Sequence, residues 1–248
     1  MKRLFTPEKK KVLFFDMNQT LLDPAATFNE SFIEVIREYT DRWSLQDNGM
    51  AEQILANYYS EYSSKARSKK RTSQSRLEIK QQCLAGALKP LPLPQHPSFI
   101  KSLLQQIEEK GQRSPKPYPG VSATLESLSA HYRLAIISNG RQEKHERNLV
   151  SMRLDRFIPL NHLFTSAHRD KRKPHSAIFL HALQEMNVTP KQAVMVGNSW
   201  NNDVLGAVRV GMDAIWLHRG HTEKSSLKKI GSRKVAVIRK LEQLQELL

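Results

Sequence analysis

The sequence predicts an α/β protein: a parallel sheet covered by helices on both faces, with a mostly helical cap inserted after its first strand. Three observations predict it. Short apolar runs alternate with helical patterns through the second half of the chain, as in parallel strands joined by crossover helices. A lone apolar run, "KVLFFDM" at 11–17, stands far ahead of that alternation. Between the two, from about Thr27 to Gln112, the pattern is helical throughout. A chain of 248 residues is long enough for such a core with an insert. The boundaries expected are 1–23 and 115–248 for the α/β core, and 24–114 for the cap.

The elements follow in order. "KVLFFDM" is too short and too apolar for an amphipathic helix and reads as a buried strand. "FNESFIEVIREYTDRW" places Phe28, Phe32, Val35, Ile36 and Tyr39 on one helical face. "MAEQILANYYSEY" and "RLEIKQQCLAGAL" continue the helical reading, and "PSFIKSLLQQIEEKG" starts after Pro97 and stops at Gly111. "KPLPLPQHP" (89–97) is a rigid connector, and "SPKPYPG" (114–120) a hinge. Beyond it, "VSATLESLSAHY" is helical and "RLAIISNG" a buried strand closed by a glycine turn. "QEKHERNLVSMRL" and "HSAIFLHALQEMN" are helices, "AVMVGNS" a strand, "NDVLGAVRVG" a helix and "DAIWLH" a strand.

Lys and Arg number 39 against 24 Asp and Glu, a formal charge of +15, so the surface field attracts anions. The excess is patchy: Lys9–Lys11, 65–71, 168–173 and 224–234, most of them expected to be solvated surface. No zinc-finger spacing or ribonucleoprotein aromatic motif accompanies the charge, so no motif supports nucleic-acid reading. No apolar run approaches the roughly 20 residues that span a bilayer. The basic N-terminal stretch ends on Asp16 without a leader's apolar core, so a secretory signal is not expected. Cys83 is the single cysteine; it is expected as a helix-packing residue in a cytoplasmic protein.

In a wound parallel sheet, sites form beyond the carboxyl ends of the strands. Four segments there carry polar residues: Asp16 with Asn18 and Thr20; Ser138 with Asn139 and Gly140; Lys173 before Pro174; and Asn198, Ser199 and Asp203 in "VGNSWNNDVLGA". In that order and spacing the sequence resembles the haloacid dehalogenase superfamily of hydrolases. "FFDMNQTLLD", "PYPGVSATLESLSAHYRLAIISNG", "KPHSAIF" and "VGNSWNNDVLGAVRVGMDAIWLHRG" are similar to its four motifs. The resemblance implies a Rossmann-like core with a cap. It makes Asp16 the nucleophile that forms an aspartyl phosphate. Ser138 and Lys173 would stabilise phosphoryl charge, with Thr20, Asn139 and Gly140 near the substrate. A magnesium ion would be held by Asp16, the Asn18 backbone carbonyl, Asn198 and Asp203.

Two departures qualify that reading. Asn18 stands where the family's phosphatases carry an aspartate that protonates the leaving group, and an amide does not titrate usefully. Asn198 replaces a metal-binding acid, leaving Asp16 and Asp203 as the site's carboxylates and implying weaker magnesium binding. The leading expectation is a magnesium-dependent phosphatase of a small phosphorylated metabolite, slowed or specialised by Asn18. The alternatives are an impaired member that binds anions with its basic surface, and a metal-independent haloacid dehalogenase. Against the last, the five-residue step from Asn198 to Asp203 is phosphatase spacing. Arg169, Lys171 and Arg172 crowd Lys173, but the Lys-Pro step before a helix favours Lys173. His168 and His175 are expected as surface residues, and Trp200 and Asn201 as pocket floor or packing.

Overall fold

The computed structural model describes residues 4–6, 8–42, 49–67, 75–89, 93–166, 168–221 and 225–248. The chain divides into two compact units, Met1–Pro24 with Pro115–Leu248, and Ala25–Ser114.

The first unit is built on one sheet of seven strands: β1 (Val12–Phe15), β2 (Arg133–Asn139), β3 (Leu163–Ser166), β4 (Ala193–Gly197), β5 (Asp213–Leu217), β6 (Ser225–Ile230) and β7 (Arg233–Ile238). Their order is β3-β2-β1-β4-β5-β7-β6. Every pairing is parallel except β6 with β7. The strand that stands apart in sequence is therefore central in space. The chain runs outward from β1 to β2 and β3, then returns to place β4 on the other side of β1. That reversal opens a crevice beyond the carboxyl ends of β1, β2 and β4.

The second unit holds α1 (Pro24–Arg42), α2 (Met50–Arg67), α3 (Arg76–Leu88) and α4 (Pro97–Arg113). Phe32, Val35 and Ile36 of α1 pack in one apolar cluster with Tyr58, Cys83, Leu84, Leu103 and Ile107. Cys83 is fully buried there and burial pushes its thiol up, as suits a packing residue. At the start of α3, Ser75 and Glu78 each accept from the other's backbone N–H, satisfying two otherwise orphaned donors. At the start of α4, Pro97 sets the first turn and His96 Nδ1 accepts from Phe99 N at 3.2 Å. α4 does not stop at Gly111 but continues to Arg113. Gly111 is buried where a Cβ would lie 3.3 Å from both Ser31 and Thr27 of α1, so this glycine serves close helix packing rather than termination. Residues 90–92 of the proline-rich connector and 68–71 of the basic stretch 65–71 lie outside the described residues.

The remaining helices of the first unit are α5 (Val121–Ser129), α6 (Gln142–Ser151), α7 (Ser176–Glu185), α8 (Gly206–Arg209) and α9 (Leu244–Leu247). Alternation within the strands explains why both sheet faces are covered. Leu13 and Phe15 join one cluster with Val121, Leu125, Leu149 and Leu244. Val12 and Phe14 join the other with Ile178, Phe179 and Ala207. Successive residues point to opposite faces, so a run apolar at every position must be buried twice.

Three elements departed from the sequence pattern. "LFTS" forms β3, although only its first two residues are apolar. The basic stretch 224–234 contributes to a hairpin, in which Gly231 at φ 57° turns β6 into β7. Lysines on that edge strand discourage further pairing, and their charge hid the strand from an apolar pattern. The expected helix over 202–211 is a wide π-helical turn at Trp200–Leu205 followed by the single turn of α8. No helix among the described residues is long and apolar enough to cross a membrane.

Candidate active site

Asp16 follows β1 directly, and its backbone N–H donates to Val196 O at 2.9 Å, tying it to β4. The chain then turns sharply. Met17 O accepts from the N–H groups of Leu21 and Leu22, and Gln19 sits at φ 60°. Ser138 and Asn139 end β2. Asn139 joins this strand end to the loop before α7 through two reciprocal bonds: Lys173 N donates to its Oδ1 at 2.7 Å, and its Nδ2 donates to Lys173 O at 3.1 Å. These braces carry Lys173 into the crevice.

Lys173 is fully buried between two acids. Its Nζ donates to Asp16 Oδ1 at 2.7 Å, Asp203 Oδ1 at 2.6 Å and Ile137 O at 2.7 Å, which uses all three ammonium donors. Ser138 Oγ donates to Asp16 Oδ1 at 3.3 Å. Asp203 Oδ2 accepts from Ser199 N at 2.9 Å. Two carboxylates against one ammonium leave one excess negative charge. Burial pulls Lys173 down, but Asp16 and Asp203 outweigh it and hold the ammonium above its usual range. Burial pushes Asp203 up, with Lys173 only partly offsetting it.

The cavity over this triad measures about 250 Å³. Asp16, Asn18 and Gln19 line it from the first loop, and Ser138, Asn139 and Lys173 from the next two. Asn198, Ser199, Asn202 and Asp203 complete it. Thr20 and Gly140 do not line it. Thr20 is buried behind the wall, its hydroxyl 3.3 Å from Asn198 Oδ1 and 3.5 Å from Asp16 Oδ2. Trp200 packs against Trp216 with ring centroids 4.8 Å apart, and it is Asn202, not Asn201, that reaches the cavity. Lys171 and Arg172 are exposed while Lys173 is buried, and His175 caps α7 by accepting from Ala177 N.

Several residues at the site carried no signal in the sequence. Arg219 donates to Gln19 O at 2.5 Å and to Thr20 O at 3.4 Å, while its guanidinium lies 3.5 Å over the Tyr118 ring. It thereby clamps the turn after Asp16. Gln19 Oε1 accepts from Asn198 Nδ2 at 3.2 Å, and Trp216 Nε1 donates to Asn198 O at 3.0 Å, so Asn198 is held at side chain and backbone. His145 is buried with Nε2 3.1 Å from Asn139 O, and burial pulls its pKa down. At the end of β4, a Cβ on Gly197 would fall 2.3 Å from Asp203 Oδ2. Gly197→Ala is therefore expected to expel Asp203 from Lys173 and destabilise the fold by about 1–3 kcal/mol, the usual cost of overpacking. A thermal melt of the variant checks it.

The sequence profile of the haloacid dehalogenase-like hydrolases matches residues 13–217, from the first strand through β5. The chain belongs to that family. Among its relatives, a glyceraldehyde 3-phosphate phosphatase of Methanothermobacter thermautotrophicus is 37% identical over 141 residues, 54% of this chain and 59% of that enzyme. The chain thus spans about three fifths of that relative's length. A namesake from Pyrococcus furiosus is 27% identical over 85% of this chain and 81% of its own. Of the solved structures, the haloacid dehalogenase-type hydrolase YfnB of Bacillus subtilis superposes with a TM-score of 0.56 at 19% identity, covering 97% of this chain and 99% of that one. That likeness is one of fold.

Whether this family member could hold a divalent cation can be tested on its donor set. Among the described residues, no three carboxylate, histidine or cysteine side chains are grouped so as to hold a metal ion. The oxygens at hand are nevertheless hard ones, from Asp16, Asp203 and Asn198, and the triad's excess negative charge favours a cation beside it. The set fits magnesium with reduced charge.

Proposed function

We propose that the chain hydrolyses a small phosphorylated metabolite through an aspartyl phosphate at Asp16. The observation that carries this reading is the Asp16 carboxylate, opening on a cavity at the sheet's switch point and bonded to Lys173 and Ser138. Its phosphatase-named relatives support it. An oxygen of Asp16 attacks phosphorus, the bond from phosphorus to the leaving oxygen breaks, and water later cleaves the acyl phosphate and restores the carboxylate. Lys173, 2.7 Å from Asp16, offsets the carboxylate's charge as the phosphoryl group approaches. Because its three N–H groups are already committed, Lys173 acts on the substrate as a fixed charge unless it releases one acceptor. Asp16, the Asn18 carbonyl, Asn198 and Asp203 would hold magnesium, which would supply charge against the repulsion between nucleophile and phosphate.

Asn18 lines the cavity but donates no titratable proton to the leaving oxygen. Substrates whose leaving groups need none, such as acyl phosphates, suffer least. Phosphate release from acetyl phosphate, p-nitrophenyl phosphate and glyceraldehyde 3-phosphate, with magnesium and with chelator, tests the proposal. Slow magnesium-dependent release is expected. Asn18→Asp should raise the rate on glyceraldehyde 3-phosphate by about a hundredfold, at the lower end of general-acid contributions. No release by either protein, with no phosphoryl-enzyme found by intact mass, would sink the proposal.

A further inference from the structure

The opposite end of the sheet carries a second, differently built cavity. Its volume is about 400 Å³, and it lies at the amino ends of β1, β4, β5 and β7, which are neighbours in the sheet. Strand order thus gathers charges that the sequence scatters. Lys9 and Lys10 precede β1, Lys191 precedes β4, and Arg233 and Lys234 begin β7. Among the described residues, the only acid lining the cavity is Asp213 at the start of β5. Among the described lining residues, five cations against one carboxylate leave a net charge of +4 (5 − 1).

Two features separate this cavity from an ordinary solvated patch. Both oxygens of Asp213 are already engaged: Oδ2 accepts from Lys10 Nζ at 2.7 Å and Oδ1 from Lys234 N at 2.8 Å. Among the described residues, no carboxylate lies within ion-pair reach of Lys9, Lys191, Arg233 or the Lys234 ammonium. Lys10 itself is 6% exposed, and its second bond goes to Lys191 O at 2.6 Å. One of its three N–H donors is left for a ligand. Burial pulls the Lys10 ammonium down and Arg233 and Lys234 add to that, against the pull of Asp213, so a bound anion would relieve crowded positive charge.

We propose that this cavity is a binding site for a small polyphosphorylated anion, distinct from the crevice that holds Asp16. A concave site with a buried ammonium suits a compact ligand carrying two or three phosphoryl groups. An extended nucleic-acid strand would instead need a charged ridge along which to lie.

The test is equilibrium dialysis of sodium tripolyphosphate against the full chain in chelator at fixed ionic strength. Lys191→Ser with Lys234→Ser, both exposed positions, is expected to raise Kd by at least about tenfold, from two lost charge-assisted bonds. Lys101→Ser with Arg113→Ser removes the same charge from α4 and is expected to leave Kd unchanged, as is Asp16→Asn. Amide resonances of Lys11, Gln192 and Ser232–Lys234 should shift on titration. Equal weakening by the α4 control would reduce the effect to bulk charge and overturn the proposal. Indifference to Lys191→Ser with Lys234→Ser, or loss of binding in Asp16→Asn, would overturn it too. So would displacement by a single-stranded DNA at lower concentration than by tripolyphosphate itself. None of these outcomes depends on whether the crevice at Asp16 turns over phosphate esters.

Discussion

Asp16→Asn is expected to lower phosphate release on the order of 10⁴-fold or more, to the level of the buffer control. The substitution keeps the shape of the side chain and removes the oxygen that would bond to phosphorus. An amide is a poor nucleophile, so neither the first displacement nor the covalent intermediate forms. The same variant should be no less stable than the parent, because Lys173 then faces one buried carboxylate, Asp203, rather than two. An unchanged or raised melting temperature with activity lost is the signature of a site whose charge serves chemistry. Release at the parent rate would remove Asp16 from the mechanism.

Lys173→Met is the largest stability change expected. The Lys173 side chain is 2% exposed and that of Asp203 1%. Without the ammonium, two carboxylates are left facing each other in a low-dielectric interior. Removing one partner of a buried ion pair costs about 3–5 kcal/mol. For a chain of this size that is a fall in melting temperature of about 6–20 °C. Adding Asp203→Asn to Lys173→Met should recover much of the loss, since one of the uncompensated charges goes with it. Chemical denaturation of the two single variants and the double closes the cycle. Additive effects would show that the three groups do not act as a unit.

Much of the fold could be read along the chain because the signals are local. In β1, four apolar residues followed directly by an acid say both that the strand is buried and where it opens. The face of α1 could be named from Phe28 to Tyr39 because helical spacing needs no partner to be recognised. Where polarity and periodicity disagreed, the reading failed. β3 is half polar, and β6 is disguised by the lysines that protect an edge.

The sequence by itself determined the types of group available: one acid after β1, an amide two residues later, a serine at the end of β2, a lysine before Pro174 and a second acid at 203. Only the tertiary structure decided their relations. Lys173 reaches Asp16 across 157 positions of chain, Lys10 reaches Asp213 across 203, and Arg219 braces a turn 200 residues away. Such contacts depend on strand order. In this sheet, β1 lies between β2 and β4, so one of its ends gathers carboxylates around a buried lysine and the other gathers cations. Periodicity reports which face of an element is buried, but not which element covers it, and charge at a site is a sum over all of them.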